Sequence, residues 1–248
     1  MRLKIPEYKV VTDSINGVDV ASFTDTLRAL TRVTVVGHIE NSNGSRLNDF
    51  SGTLLPSIYD KKIVSRTLQN DAGSGYFEFE EQKNVLFKGN VTVHNGGFKF
   101  SFMLPKDINY AYGNGKFSYY AHGQMIDATG NYSNAIIGGM GSEILNDDEG
   151  PEIEVYMNDD KFVSGGTVNT SPTLFIKLKD DYGINTTGSG IGHDLVAILD
   201  DGDNTILNDY YVAERDSFNC GTVRYPYENL SLGKHTLKVR AWDILNNV

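Results

Sequence analysis

Apolar residues recur at every second position through most of this chain, which is the period of a strand with one face buried and the other solvated. The clearest stretch is 97–105, where Phe98, Phe100, Phe102 and Leu104 share one face and Lys99 and Ser101 the other. A second run, 84–94, precedes it, and the residues between, His94-Asn95-Gly96-Gly97, carry the Asn-Gly signal of a tight hairpin. Further alternating runs predict strands at 32–39, 52–59, 116–122, 153–157, 173–179, 194–199, 222–227 and 234–242. Only 22–30, SFTDTLRAL, could make a short helix, and it reads equally as a strand connection. Short strands spaced by turn residues predict an all-β fold, two immunoglobulin-like β-sandwich domains in tandem. Without alternating helices, the βαβ architectures of nucleotide-binding enzymes are excluded.

Periodicity lapses between Gly138 and Pro151, where the sequence GGMGSEILNDDEGP combines glycines, an acidic cluster and a proline. This predicts a first domain over 1–143, a linker over 144–150 and a second domain over 151–248. In the second domain the core positions are Ile153, Val155 and Met157, then Leu174, Ile176 and Leu178, then Leu237, Val239 and Ala241. A sandwich of this kind normally closes with one more strand than the sequence offers after 242. The second domain is therefore expected to lack its last strand and to leave an open edge along 234–242.

Composition narrows the function. The 248 residues are 40% hydrophobic and 22% charged, far from the disordered corner and enough to build a core. Lys and Arg number 22 against 32 Asp and Glu, a formal charge of −10, so a nucleic-acid partner is not expected. The opening MRLKIPEYKV has early cations but no apolar stretch behind them, and no run approaches the roughly 18 apolar residues of a spanning helix. Neither a signal peptide nor a transmembrane segment is expected. Cys220 is the only cysteine, which excludes an internal disulfide and a cysteine-built zinc site.

Few constellations could carry chemistry. Cys220 would need a histidine base, yet it sits in a turn, Asp216-Ser217-Phe218-Asn219-Cys220-Gly221, with no helix N-terminus to lower its pKa, so a packing thiol is the plainer reading. The glycine-rich stretch 188–194, ending in His193-Asp194, lacks the Lys-Ser/Thr of a phosphate loop and reads as a tight connection. Carboxylates cluster at Asp147-Asp148-Glu149, Asp159-Asp160, Asp180-Asp181 and Asp200-Asp201-Gly202-Asp203. Asp200, Asp201 and Asp203 have the ligand type of a calcium loop without the EF-hand pattern, and solvated turn charge is the competing reading. Tyr110, Tyr112, Tyr119 and Tyr120 could form a sugar platform or pack a sandwich. No catalytic and no cofactor-binding residue is expected from the sequence, calcium aside.

Several stretches taken together resemble a known family. In the first half these are Asn84-Val85-Leu86-Phe87-Lys88-Gly89, then Phe98 through Leu104 with Pro105-Lys106-Asp107-Ile108, then Tyr112-Gly113-Asn114-Gly115-Lys116-Phe117-Ser118-Tyr119-Tyr120. In the second they are Gly150-Pro151-Glu152-Ile153, Asp181-Tyr182-Gly183-Ile184-Asn185-Thr186, the 188–194 stretch, Leu207-Asn208-Asp209-Tyr210-Tyr211, and 235–243 ending Ala241-Trp242-Asp243. They resemble the region after the peptidase domain in the PorU family, gingipain-like cysteine peptidases that act as the sortase of the type IX secretion system. Arg2-Leu3-Lys4-Ile5-Pro6 resembles the residues just past the end of such a peptidase domain. The resemblance implies a non-catalytic β module, because the family's catalytic cysteine and histidine lie upstream and Cys220 matches no catalytic motif. It implies a cell-surface or outer-membrane location, export within a longer precursor, and as partners the upstream peptidase domain, cargo sorting domains and other secretion components. The alternative is an independent adhesive or ligand-binding tandem that holds calcium or glycan.

Overall fold

The computed structural model describes residues 7–123, 126–143, 145–188 and 192–248; Arg2 to Pro6, and Ser189, Gly190 and Ile191 of the glycine-rich stretch, lie outside them. The fold is all-β, with strands packed in layers as a sandwich requires. In the largest sheet Tyr8–Ile15 lies centrally, antiparallel to Arg32–Glu40 and parallel to Ile126–Tyr132. Beyond Ile126–Tyr132 come Lys116–Gly123, Gly52–Tyr59 and Val85–Lys88, each antiparallel to the one before. On the other side Gly97–Met103 completes the sheet against Arg32–Glu40.

The Asn-Gly turn forms where the sequence places it. Asn95 and Gly96 both take positive φ, 49° and 68°, as a tight primed turn demands. Its two arms then part: Val91–Val93 pairs with Gly52–Tyr59 and Gly97–Met103 with Arg32–Glu40, so that among the described residues the arms bridge each other only through His94 and Gly97. The large sheet thereby bends back toward itself around an aromatic core. Phe87 stacks on Phe100 and Phe102 with ring centroids 5.9 and 5.2 Å apart, Phe98 meets Tyr119 at 6.0 Å and Phe102 meets Phe117 at 6.3 Å. Each buried phenylalanine contributes about 1.5–3 kcal/mol relative to exposure. Gly37 makes room for this ladder, since a Cβ there would run into Val11 O and the Phe98 ring.

The 22–30 segment holds a strand, Thr26–Ala29, and no helix. It lies parallel to Ile136–Met140, a partner more than a hundred residues away that its local propensity does not reveal.

From Glu152 on, two smaller sheets form. Thr173–Lys179 lies between Glu152–Met157 and Cys220–Pro226, with Tyr211–Ala213 beyond, while Val196–Leu199 lies between Asn204–Ile206 and Leu237–Arg240. Leu174, Ile176 and Leu178 are buried as the alternation requires. Val155 is exposed, and Ile153 and Met157 beside it are half-buried, because this outer strand is covered less fully than Thr173–Lys179. Leu237–Arg240 is likewise an edge, paired among the described residues with Val196–Leu199 alone. A single set of touching buried apolar side chains runs from Val10 through Phe87 to Tyr211 and Ala241. Gly89 and Ala213 form a parallel bridge, Asp216 accepts from Thr92 N and Oγ1 at 2.7 and 2.6 Å, and the Arg32 guanidinium lies 4.9 Å from the Phe218 ring centre.

Candidate functional site

Many of the family-like motifs, far apart in sequence, converge on one carboxylate. Asp107 sits in the loop after Gly97–Met103. Its Oδ2 lies 2.7 Å from His193 Nδ1 and accepts from Asn185 Nδ2 at 3.0 Å, and its Oδ1 accepts from Asn246 Nδ2 at 2.8 Å. The neighbouring Lys106 N donates to Ile244 O at 2.9 Å. Asn185 is fully buried and is fixed from its other end, since its Oδ1 accepts from Thr187 N and Oγ1. The Trp242 ring lies 4.5 Å from the His193 ring. Burial pushes the Asp107 carboxyl up, but the Asn246, His193 and Asn185 contacts outweigh it, and its pKa falls below the usual carboxylate value. Loop and partners thus clasp the first half of the chain to the second.

Beside this clasp lie three more carboxylates, Asp147, Asp180 and Asp243, with oxygens within 4.8 Å of one another. Asp180 Oδ1 accepts from the backbone N–H groups of Tyr182 and Gly183 at 2.8 and 2.9 Å. Asp243, fully buried, accepts from the N–H groups of Leu245 and Asn247 and from Asn247 Nδ2. Burial, with the charges of Asp243 and Asp147, pushes the Asp180 pKa up to about 6 against its backbone donors, and burial also raises Asp243. Oxygen donors so crowded are of the type that hard divalent cations take, and the same crowding raises proton affinity.

The sequence-predicted residues fall elsewhere. Asp200 and Asp201 lie in the turn after Val196–Leu199, where positive φ of 51° and 56° suits Asp. Asp200 accepts from Thr236 N at 2.7 Å and meets His235 Nδ1 at 2.5 Å, and Asp201 meets Lys238 Nζ at 2.6 Å. Asp203 is exposed on the same turn. These carboxylates tie the turn to the 235–238 segment, and calcium at Asp200, Asp201 and Asp203 stands as a proposal. The His235 pKa is raised, chiefly by the Ser231 carbonyl and then by Asp200. Cys220 opens the Cys220–Pro226 strand half-buried, and its Sγ lies 3.2 Å from Ser217 Oγ, its hydrogen-bond partner among the described residues. The four tyrosines do not form one platform. Tyr119 is core, bonded to Thr12 at 2.9 Å, and burial pushes its phenol far up; Tyr120 faces out from the sheet, and Tyr110 and Tyr112 project from a loop.

No protein-family model matches the chain, and no curated protein does. A solved structure does: the crystal structure of dimeric latent PorU from Porphyromonas gingivalis, similar over 100% of this chain at 31% identity and a TM-score of 0.58. The chain spans 24% of that protein's length. The fold is PorU-related.

Proposed function

We propose that this chain is a non-catalytic C-terminal β-sandwich module of a PorU-type, gingipain-like cysteine peptidase, the sortase of a type IX secretion system. The observation that carries the reading is the likeness of the whole chain to a quarter-length portion of PorU. In this role the module supports an upstream peptidase domain or docks secreted cargo and secretion components, at the cell surface or outer membrane, after export within a longer precursor. Among the described residues no helix is long and apolar enough to cross a membrane. Among the described residues the hydrogen-bond partner of the Cys220 thiol is the Ser217 hydroxyl and not a histidine, which supports a packing thiol over a nucleophile. The gene offers the test. A peptidase domain with a cysteine–histidine pair encoded immediately upstream, and loss of cargo cleavage when residues 1–248 are deleted from the full protein, support the module. An unrelated upstream region, or full cargo processing after the deletion, overturns it in favour of an independent adhesive or ligand-binding tandem.

A further inference from the structure

A groove of about 550 Å³ opens between the loop that carries Tyr112 and the segments that carry Lys61 and Gln82. Its volume lies within the range of roughly 300–1,000 Å³ usual for ligand pockets. Tyr112 is 66% exposed, yet its ring is held in place. A Cβ on Gly138 would come within 3.0 Å of Tyr112 Cδ1, and one on Gly139 within 2.8 Å of its hydroxyl, so the ring lies along a bare glycine backbone and turns its other side to solvent. The loop is tied down beneath it, because Gly139 N donates to Tyr110 O at 3.0 Å and Gly113 and Asn114 pair with Ile137 and Ile136.

Amide side chains line the groove, and each is pinned by one of its two polar groups. Gln82 Nε2 donates to Asp60 O and Asn114 O, Asn114 Nδ2 donates to Ser133 O, and Asn109 Oδ1 accepts from Ala111 N. Gln82 Oε1, Asn114 Oδ1 and Asn109 Nδ2 have no hydrogen-bond partner among the described residues, which leaves two fixed acceptors and one fixed donor for a ligand. The cations are balanced. Lys61 Nζ lies 2.6 Å from the buried carboxylate of Asp60, and Lys62 Nζ lies 3.0 Å from Glu80. An uncharged ligand with a flat C–H face and many hydroxyls matches a fixed aromatic face, open amides and no surplus charge.

We propose that this groove binds a neutral saccharide, one pyranose face on Tyr112 and its hydroxyls on Gln82, Asn109 and Asn114. Binding does not depend on whether a peptidase precedes the chain. Titration of the full chain with maltotriose, cellotriose, mannotriose and chitotriose, monitored by amide NMR, tests it. At least one trisaccharide should shift the amides of Gly113, Gly138 and Gly139 at millimolar concentration. Tyr112→Ala should weaken that binding about tenfold, the loss of one aromatic contact. Tyr112→Phe should preserve it, Gln82→Ala should weaken it, and Tyr120→Ala, which removes an exposed tyrosine from another face, should leave it unchanged. Tyr112 is exposed, so its loss should not unfold the chain, and an unchanged melting temperature checks this. No shift with any of the four sugars, unchanged binding in Tyr112→Ala, or stronger binding of a sulfated trisaccharide at the same amides would overturn the proposal.

Discussion

Two hairpins of this chain carry aromatics at the same period and end up in opposite surroundings. In Gly97–Met103 the side chains of Phe98, Phe100 and Phe102 are 4%, 6% and 1% exposed; in the hairpin of Ile63–Arg66 and Glu78–Glu81, Phe79 is 40% exposed and Phe77, just before it, 66%. The first strand borders the large sheet and faces Phe87, Phe117 and Tyr119 across the core. Among the described residues the second hairpin pairs only within itself, and ion pairs Lys62–Glu80, Arg66–Glu78 and Lys83–Glu81 decorate it. Alternation specifies a strand. It does not say whether another layer covers it, and the difference is worth kilocalories only on the covered side.

The largest expected effect comes from breaking the covered side. Phe100→Ala removes a ring that stacks on Phe87, Phe98 and Phe102 and should cost about 3–5 kcal/mol, whereas Phe79→Ala should stay within about 0.5 kcal/mol. Urea unfolding of both variants measures the gap, and equal shifts would mean that the two hairpins are alike after all.

Carboxylates repeat the contrast on a smaller scale. Asp107→Ala strips Asn246 and the fully buried Asn185 of an acceptor and should cost about 1–3 kcal/mol, against no more than about 0.5 kcal/mol for Asp201→Ala on its exposed turn. Because the folded pKa of Asp107 is depressed, the stability it contributes is present above the unfolded pKa and lost as pH falls through the folded value. Asp180 behaves in the opposite sense. Its folded pKa of about 6 lies above the unfolded value of 3.8, so its contribution is greatest below 3.8 and is lost as pH rises through 6. Asp180→Asn keeps the acceptor for Tyr182 and Gly183 and removes the repulsion, so it should melt higher than the natural chain at pH 8 and alike at pH 3. A lower melting temperature at both pH values would show that the ionised carboxylate is needed. The smallest effect concerns the proposed calcium loop, where the ion would have to displace His235 and Lys238 from Asp200 and Asp201. A slight rise in melting temperature with calcium after chelation, absent in Asp203→Asn, supports the ion; no rise removes it from this turn.

Much of the fold is legible in the sequence where the chain is covered on one face and bounded by turn residues. The strands Gly52–Tyr59 and Thr173–Lys179 begin and end where alternation places them, and the Asn95-Gly96 turn comes from backbone preference alone. Thr26–Ala29 is not legible, because its strand character comes from distant Ile136–Met140. The separation of the 91–93 and 97–103 arms is tertiary in the same sense. The clasp is hidden for a related reason. Asp107 is a lone acid in a Pro-Lys-Asp loop, and its partners lie 78, 86 and 139 residues away, so no local pattern marks it. The only trace in the sequence is that Asp107, Asn185, His193 and Trp242 all stand in the family-like motifs.

In the proposed function this chain is a non-catalytic module that sits against a peptidase. It is tested most directly by light scattering on a size-exclusion column, with the chain mixed with a separately produced peptidase domain encoded immediately upstream, together with a peptide-cleavage assay of each fraction. The two pieces should form a complex, cleavage should track the upstream piece with none from the chain alone, and Cys220→Ala should be indistinguishable from the natural chain. Two pieces that elute apart, or turnover by the isolated chain that disappears in Cys220→Ala, would contradict it.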